Sequence, residues 1–394
     1  MKKIFYLLIV LLAVSCSKLE IERVDAKIDS ISPVAAVPGS TVTITGVNFT
    51  ETTIVTFGST QAELTSVSDD QITVIVPTSL NEGDFELSVT SRSVPAISNF
   101  EVLPFFEEKV VHPLGFSSNI NPSGFVLNDQ VYLGTREVTT SFDDFYVYNT
   151  ESNSWGRLDS DNNLPSANST ELLESPNGFT ANGKGYIVRF GELWEFDPDT
   201  KSWTELASPP VNSTTSLVIG NNVYFVQDDF FGNTVWRYSI NNDQWTQMND
   251  FAGGIRAGAS GFVIDGVAYL GQGLDRDLND FYNDLWRYSE ETDTWIEMSS
   301  PTQSTGIQYG VGFSLNGKGY IGLGRTIGSV TTFYQYTPET NSWRVVSDLP
   351  ADPRVFTRAF VANDKVYLMY GSDEVGSNIG TRVDEVWEFT PETF

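Results

Sequence analysis

Trp194-Glu195-Phe196-Asp197-Pro198-Asp199-Thr200-Lys201-Ser202-Trp203 opens and closes on an aromatic residue, the two nine positions apart, with a polar turn between them. Residues alternate on either side of the Asp197-Pro198-Asp199-Thr200 link, which reads as strand, turn, strand. The same spacing recurs at Tyr146/Trp155, Trp236/Trp245, Trp286/Trp295 and Tyr334/Trp343. A further copy begins at Trp387, and its partner would fall just beyond Phe394. The last copy is therefore one strand short.

A second register runs ahead of the first. A Phe or Leu precedes a Tyr by seven residues in Phe125/Tyr132, Phe179/Tyr186, Leu217/Tyr224, Phe262/Tyr269, Phe313/Tyr320 and Phe360/Tyr367. Each pair brackets Asn128-Asp129, Asn182-Gly183, Gly220-Asn221, Asp265-Gly266, Asn316-Gly317 or Asn363-Asp364, residue types that accept positive φ in tight hairpins. Every unit thus supplies four strands. The second aromatics recur every 42 to 50 residues from Trp155 to Trp343, the length of a propeller blade. Helical periodicity is nearly absent.

These registers resemble the kelch-repeat family over residues 104–394. The family's Gly-Gly pair is eroded here to Leu133-Gly134, Gly271-Gln272-Gly273 and Gly322-Leu323-Gly324, and is lost at Ile187-Val188. The resemblance implies a six-bladed β-propeller, and a ring of blades must close because unpaired edge strands invite aggregation. The segment Phe106 to Pro113 stands at the right distance before Phe125 to supply the missing outer strand of blade six, and it is expected to close the ring.

Residues 28–103 carry a different pattern. Ile31-Ser32-Pro33, Val42-Thr43-Ile44-Thr45, Gly46-Val47-Asn48-Phe49, Phe57-Gly58, Ile72 to Pro77 and Phe85 to Val89 describe short strands between turns. They resemble the IPT/TIG family of immunoglobulin-like sandwiches. The expected fold class is therefore all-β, an N-terminal Ig-like β-sandwich followed by a six-bladed kelch-type propeller.

At the N-terminus, Lys2 and Lys3 precede an apolar run from Ile4 to Val14, too short to span a bilayer and suited to a signal-peptide core. Ala13-Val14-Ser15-Cys16 resembles the lipobox of bacterial lipoproteins, in the style of Bacteroidota. That implies a leader over 1–15, lipid on Cys16, a tether over 16–27 and an outer-membrane, surface-exposed address. Cys16 is the single cysteine, so no intramolecular disulfide forms. The 51 Asp and Glu against 23 Lys and Arg leave a net charge of −28, a surface that repels nucleic acid and suits solubility outside the cell.

The hairpin turns of constant length fall on one face of the ring, and the loops of variable length fall on the other, around the channel mouth. Binding residues concentrate on such loops. The candidates are Arg256 and Arg354, each six residues before a strand Phe, the tip Asp228-Asp229-Phe230-Phe231, and the loop carrying Asp275, Arg276, Asp277, Asp280, Phe281 and Tyr282. Aromatic tips can stack on sugar rings, and a bland alternative has the arginines satisfying loop carbonyls. Asp275-x-Asp277-x-Asn279 begins like a calcium loop, but Asp280 stands where an EF-hand needs Gly and Trp286 where it needs Glu. A looser calcium site competes with a solvated acidic loop, and no cofactor is otherwise implied.

Enzymatic readings are narrowed by inventory. The copper site of galactose oxidase, which shares the kelch propeller, needs His and a thioether Cys, whereas this chain has His112 and Cys16 alone. A Ser-His-Asp triad would have to recruit His112 from the closing strand, where a structural His is the favoured reading, and zinc catalysis lacks its ligands. Carboxylate-only chemistry, as in sialic-acid mutarotase propellers or glycoside hydrolases, stays open. The partners expected are a glycan or an envelope protein, and the membrane through the lipid.

Overall fold

The structure, a computed structural model, describes residues 25–110, 123–136, 143–158, 177–189, 191–229, 231–275, 280–302, 305–326, 328, 330–375 and 378–392. The leader, Cys16 and His112 lie outside these. The chain forms two compact units, residues 1–103 with 392–394 and residues 104–391.

In the first unit, Lys27–Ser32, Thr41–Val47, Gln71–Ile75 and Glu63–Val67 form one sheet. Ala35–Ala36, Ala96–Val102, Gly83–Thr90, Ile54–Phe57 and Thr60–Gln61 form the other. Period-two alternation turns Val42, Ile44, Ile72 and Val74 of one sheet toward Val55, Phe57, Leu87, Val89 and Phe100 of the other, and all are buried. Asn48 takes the left-handed conformation (φ 63°) and delivers Phe49, 3% exposed, into this core.

The second unit is a six-bladed β-propeller. Its first strands, Ser123–Leu127, Asn177–Ala181, Ser216–Ile219, Ser260–Ile264, Val311–Leu315 and Arg358–Ala362, each pack on the next, and the last packs on the first. Each starts a four-stranded antiparallel sheet. The predicted turns take positive φ, from 48° to 57° at Asn128, Asp129, Asn182, Asp265, Asn316, Asn363 and Asp364. Six apolar clusters lie between neighbouring blades, so each blade is half of two cores. In four blades the Phe and Tyr flanking the first turn stack face to face, centroids 4.7 to 5.4 Å apart.

Between the third and fourth strands, the ring directly opposite each Trp belongs to the residue two after the first aromatic. Tyr148/Trp155, Phe196/Trp203, Tyr238/Trp245, Tyr288/Trp295 and Tyr336/Trp343 are cross-strand pairs with centroids 4.9 to 5.1 Å apart. The spaced pair is thus a diagonal neighbour in this register. Two residues before each Trp, Asn153, Lys201, Asp243, Asp293 and Asn341 adopt φ near 50°.

In blades one, three and five that residue and the Trp grip the chain as it leaves the preceding blade. Asp243 accepts the Ala207 N–H at 2.8 Å while the Trp245 indole donates to the Ala207 carbonyl at 2.8 Å. Asn341 and Trp343 hold Ser299 in the same way, at 3.0 and 2.7 Å. In blade one, Asn153 and Trp155 hold Val110, both at 3.2 Å. Val110 directly follows the strand Phe106–Lys109, which pairs antiparallel with Val386–Phe389 and gives blade six its outer strand. The ladder ends at Lys109, and 111–113 lie outside the described residues. Glu388, 3% exposed, receives Lys365 at 2.5 Å and Lys109 at 3.4 Å.

Gly178 is required by close approach, since a Cβ there would lie 2.1 Å from the Gly124 carbonyl oxygen of the neighbouring inner strand. Gly324 is required by its φ of 88°, directly after Leu323 in the left-handed region at 57°. Gln272-Gly273 and Tyr370-Gly371 repeat that geometry, which accounts for Gly273 and Gly324 in the eroded pairs.

Phe106, 5% exposed, packs on Phe333 and Phe389 at 5.2 and 5.1 Å. Phe106→Ala is expected to lower stability by about 3 kcal/mol or more, because it empties a core position in the closing strand. Urea unfolding measures it, and wild-type stability in this variant would mean that the ring does not depend on this strand.

Candidate functional site

The inner strands have a neighbour on one side only, so alternate backbone groups face a central channel. Its volume is about 450 Å³. Small side chains keep it open, with Gly124, Gly178, Ser216, Gly261, Gly312 and Ala359 all one residue before the strand Phe or Leu.

The two sides of the mouth differ. On blades two and three stand Asn177, Thr214, Thr215 and Ser216. Asn177, 5% exposed, donates from Nδ2 to the Ser213 carbonyl at 3.4 Å. Behind Thr214 sits Asp228, 7% exposed, whose carboxylate accepts the Thr214 N–H at 3.3 Å and the Thr214 hydroxyl. Burial pushes the Asp228 carboxyl up to about 7, against the Thr214 hydrogen bonds that favour its charge. The hydroxyls of Ser216 and Ser260 have no partner among the described residues.

On blades five and six stand Tyr309 and Phe356, opposite blades two and three in a ring of six. Their rings are 4.4 Å apart at 40°. Both residues are left-handed, with φ 55° and 61°, at the repeat position where blade four has Gly258 at 71°. A bulky residue in this region stores backbone strain, and such strain concentrates at functional sites. The Arg325 guanidinium lies 5.5 Å over the Tyr309 ring. Arg358 of blade six donates from Nη1 to the Thr214 carbonyl of blade three at 3.4 Å, so it reaches across the ring. Burial lowers its pKa to about 10, and the Asp228 charge acts in the opposite direction.

Arg256 and Arg354 are elsewhere, and their expected role at the ligand surface is corrected. Arg256 is 1% exposed and forms a bidentate pair with Asp284 at 2.7 and 2.8 Å. It also donates to the carbonyls of Gln272, at 2.8 Å, and of Gly253. Its guanidinium lies between the rings of Phe251 and Tyr282, 4.9 and 4.0 Å from their centroids. Arg354, 2% exposed, pairs with Glu385 at 2.8 Å and donates to the Asp352 carbonyl at 3.1 Å. Asp284 and Glu385 each also accept the indole N–H two residues on, from Trp286 at 2.8 Å and Trp387 at 2.7 Å. Arginine, acid and tryptophan thus form one repeated device, its arginine buried and its acid half-buried, that ties an incoming crossover to a third strand. The acid fixes the guanidinium because a buried cation without a partner is costly.

The loop candidates separate as well. Asp229 accepts Gln227 Nε2 and the Phe231 N–H, both at 3.0 Å, and leaves Phe231 80% exposed. Leu274–Asp275 pairs with Asp280–Phe281, and Asp275 accepts the Tyr282 hydroxyl at 2.8 Å. None of these lines the channel. Phe230, Arg276 and Asp277 lie outside the described residues, and among those described no cluster of three or more His, Cys, Asp or Glu could hold a metal ion. Tyr309, Phe356 and Arg358 were not singled out by the loop-length reading. Aligning the repeats on the strand Phe finds them, since Tyr309 and Phe356 fill a slot that is Gly in blade four, and Arg358 a slot that is otherwise Ser, Asn, Thr or Val.

The family model of the IPT/TIG domain matches residues 26–102. Residues 26–102 are an IPT/TIG domain. No curated protein matches the chain. Among solved structures, the one titled "Structure of YjhT" is similar, with a TM-score of 0.56 and 14% identity, over 72% of this chain and 97% of that one. That likeness concerns the fold alone.

Arg256→Ala is expected to destabilise the protein by about 3 kcal/mol, because it removes a buried side chain packed between Phe251 and Tyr282 and leaves the half-buried Asp284 without its cation. Asp284→Ala is expected to do similar harm, and the double variant much less than the sum. Thermal unfolding of the cycle measures this, and near-wild-type stability for Arg256→Ala would return the arginine to the ligand surface.

Proposed function

We propose that this protein is a lipid-anchored envelope binding module whose kelch-type propeller holds the end of a glycan at the channel mouth. One observation carries the reading. The mouth has an aromatic side, Tyr309 and Phe356, and across the ring a side of hydroxyl and amide groups, Asn177, Thr214, Thr215 and Ser216. A sugar ring has the matching asymmetry, an apolar face of C–H groups and an edge of hydroxyls. Pockets that combine an apolar surface with a few placed polar groups suit small ligands of this kind. The left-handed backbone at Tyr309 and Phe356, φ 55° and 61°, sets their rings 4.4 Å apart beside the channel.

An epimerase or hydrolase is the second reading. Asp228, with its carboxyl near 7, can exchange a proton at neutral pH. Binding is preferred because no carboxylate lines the channel among the described residues, and Asp228 stands behind Thr214. Envelope anchoring is supported by Lys2, Lys3, the apolar run to Val14 and Cys16. Among the described residues no helix is long and apolar enough to cross a membrane.

A glycan array followed by a turnover assay tests the reading. Tyr309→Gly, which relieves the strain and removes the ring, is expected to weaken binding about tenfold, some 1.4 kcal/mol, without lowering stability. Asn177→Ala is expected to weaken it as well. Unchanged binding in both, with loss on altering the Asn182-Gly183 or Asn316-Gly317 turns, would place the site on the opposite face. Turnover abolished by Asp228→Asn would favour the enzyme.

Cys16→Ala is expected to move the protein from the membrane to the soluble fraction, since two acyl chains give stable attachment. Fractionation followed by immunoblotting decides it, and retention in the membrane after leader removal would count against the lipid anchor.

A further inference from the structure

We infer that one end of the IPT/TIG sandwich, carrying Val47, Ile54, Val94 and Ile97, rests on the zwitterionic lipid surface to which Cys16 is anchored. This rests on the lipid anchor proposed above and adds to it a contact between the folded domain and the bilayer.

The described chain enters the sandwich at this end. Asn48 donates from Nδ2 to the Asp25 carbonyl at 3.0 Å, the Ser93 hydroxyl donates to the Asp25 carboxylate at 3.4 Å, and Lys27 pairs with Val47 at the end of their ladder. The loop 48–53 and the turn 91–95 are tied together beside them, with the Thr53 and Ser91 hydroxyls 2.6 Å apart. Ile54 starts its strand opposite Thr90, and Ile97 lies opposite Ser88 in the hairpin that this turn closes. The chain leaves by the other end, where Ala35–Ala36 pairs with Glu101 and Val102 and the Leu103 N–H donates to the Ala36 carbonyl at 3.0 Å.

Exposed apolar residues follow the same polarity. Val47, Ile54, Val94 and Ile97 are 42%, 44%, 55% and 56% exposed, and all belong to the entry end. Between residues 25 and 103 the remaining exposed large apolar residue is Val34, 73% exposed, at the exit end. Apolar side chains gathered in water at one end of a small domain mark a contact surface. The length of the tether names what it contacts. Eight residues, 17–24, separate Cys16 from Asp25, and a chain spans at most about 3.6 Å per residue, so lipid on Cys16 keeps this end within about 30 Å of the bilayer. Tethering at that range raises the effective concentration of lipid, and a weak apolar contact then suffices.

Charge decides the kind of lipid. Asp25, Asp29, Glu51, Asp69 and Asp70 outnumber Lys27 and Arg92 at this end, an excess of acid that disfavours anionic headgroups. Asp29, Asp69 and Asp70 come from the sheet of Lys27–Ser32 and Gln71–Ile75 and its turn, whereas Ile54, Val94 and Ile97 come from the other sheet and its turn, so the sandwich leans on that second sheet. Arg92, exposed in the same turn as Val94, keeps its cation at headgroup level while Val94 enters the interface.

The test reconstitutes the full lipidated chain into phosphatidylcholine vesicles that contain a lipid with a nitroxide headgroup. Cys16 is the single cysteine and its thiol carries lipid in this reading, so Val94→Cys, Ile97→Cys or Val34→Cys each supplies one site for a thiol-reactive fluorophore. Dye at 94 or 97 is expected to lose about half its emission or more, as shallow burial at the interface requires, and dye at 34 to keep it. Ile54→Ser combined with Ile97→Ser is expected to abolish the loss at 94 without a change in melting temperature, since both side chains are exposed. Phosphatidylglycerol vesicles are expected to quench less. Flotation of the same samples reads the anchor separately: a chain that does not float removes the anchor and this inference with it. A chain that floats with no quenching at 94 and 97, with equal quenching at 34, or with stronger quenching by phosphatidylglycerol overturns the inference alone.

Discussion

A ring of sheets is held together only if each blade grips the next, and in blades one, three and five the grip is a pair of hydrogen bonds. An Asn or Asp at positive φ and the Trp two residues later receive and return the backbone of one residue leaving the previous blade. A left-handed residue there turns its side chain toward the neighbour, which explains why Asn and Asp, tolerant of that conformation, fill most of these positions. The same device at Asn153 and Trp155 takes hold of Val110, so the strand Phe106–Lys109 stands to blade one as the outer strands of blades two and four stand to blades three and five. Closure therefore uses the repeat's own chemistry and leaves no sheet edge open between blades one and six.

Packing the blades closely has a consequence at the axis. Inner strands approach until a Cβ at Gly178 would strike the carbonyl of Gly124, so small residues recur at that level and the axis stays hollow. At the mouth, side chains enter the hollow from the crossovers and the strand starts. There the blades diverge: Asn177 and Thr214 on one side, Tyr309 and Phe356 on the other, with Arg358 reaching between opposite blades. Symmetric packing supplies the space, and departures from symmetry supply its chemistry.

Buried charge serves the same scaffold. Arg256 with Asp284 and Trp286, and Arg354 with Glu385 and Trp387, tie crossovers to third strands beneath the loop face.

Most of the architecture was legible in the chain, because blade repeats are local. Phe125 to Tyr132 and Trp194 to Trp203 each specify strand, turn and strand within a few residues, and Gly46-Val47-Asn48-Phe49 marks the IPT/TIG sandwich. The shortfall at Phe394 and the spacing at Phe106 pointed to the strand that pairs with Val386–Phe389. The site was less legible. Arg256 and Arg354 read as surface arginines because their partners, Asp284 and Glu385, lie 28 and 31 residues on and meet them only across a folded blade. Tyr309 faces Asn177, and Arg358 meets Thr214, only because a closed ring of six sets blade five against two and blade six against three. Strand and turn are set by neighbours in sequence. Which side chains share the channel is set by ring closure, a long-range constraint that no single repeat contains.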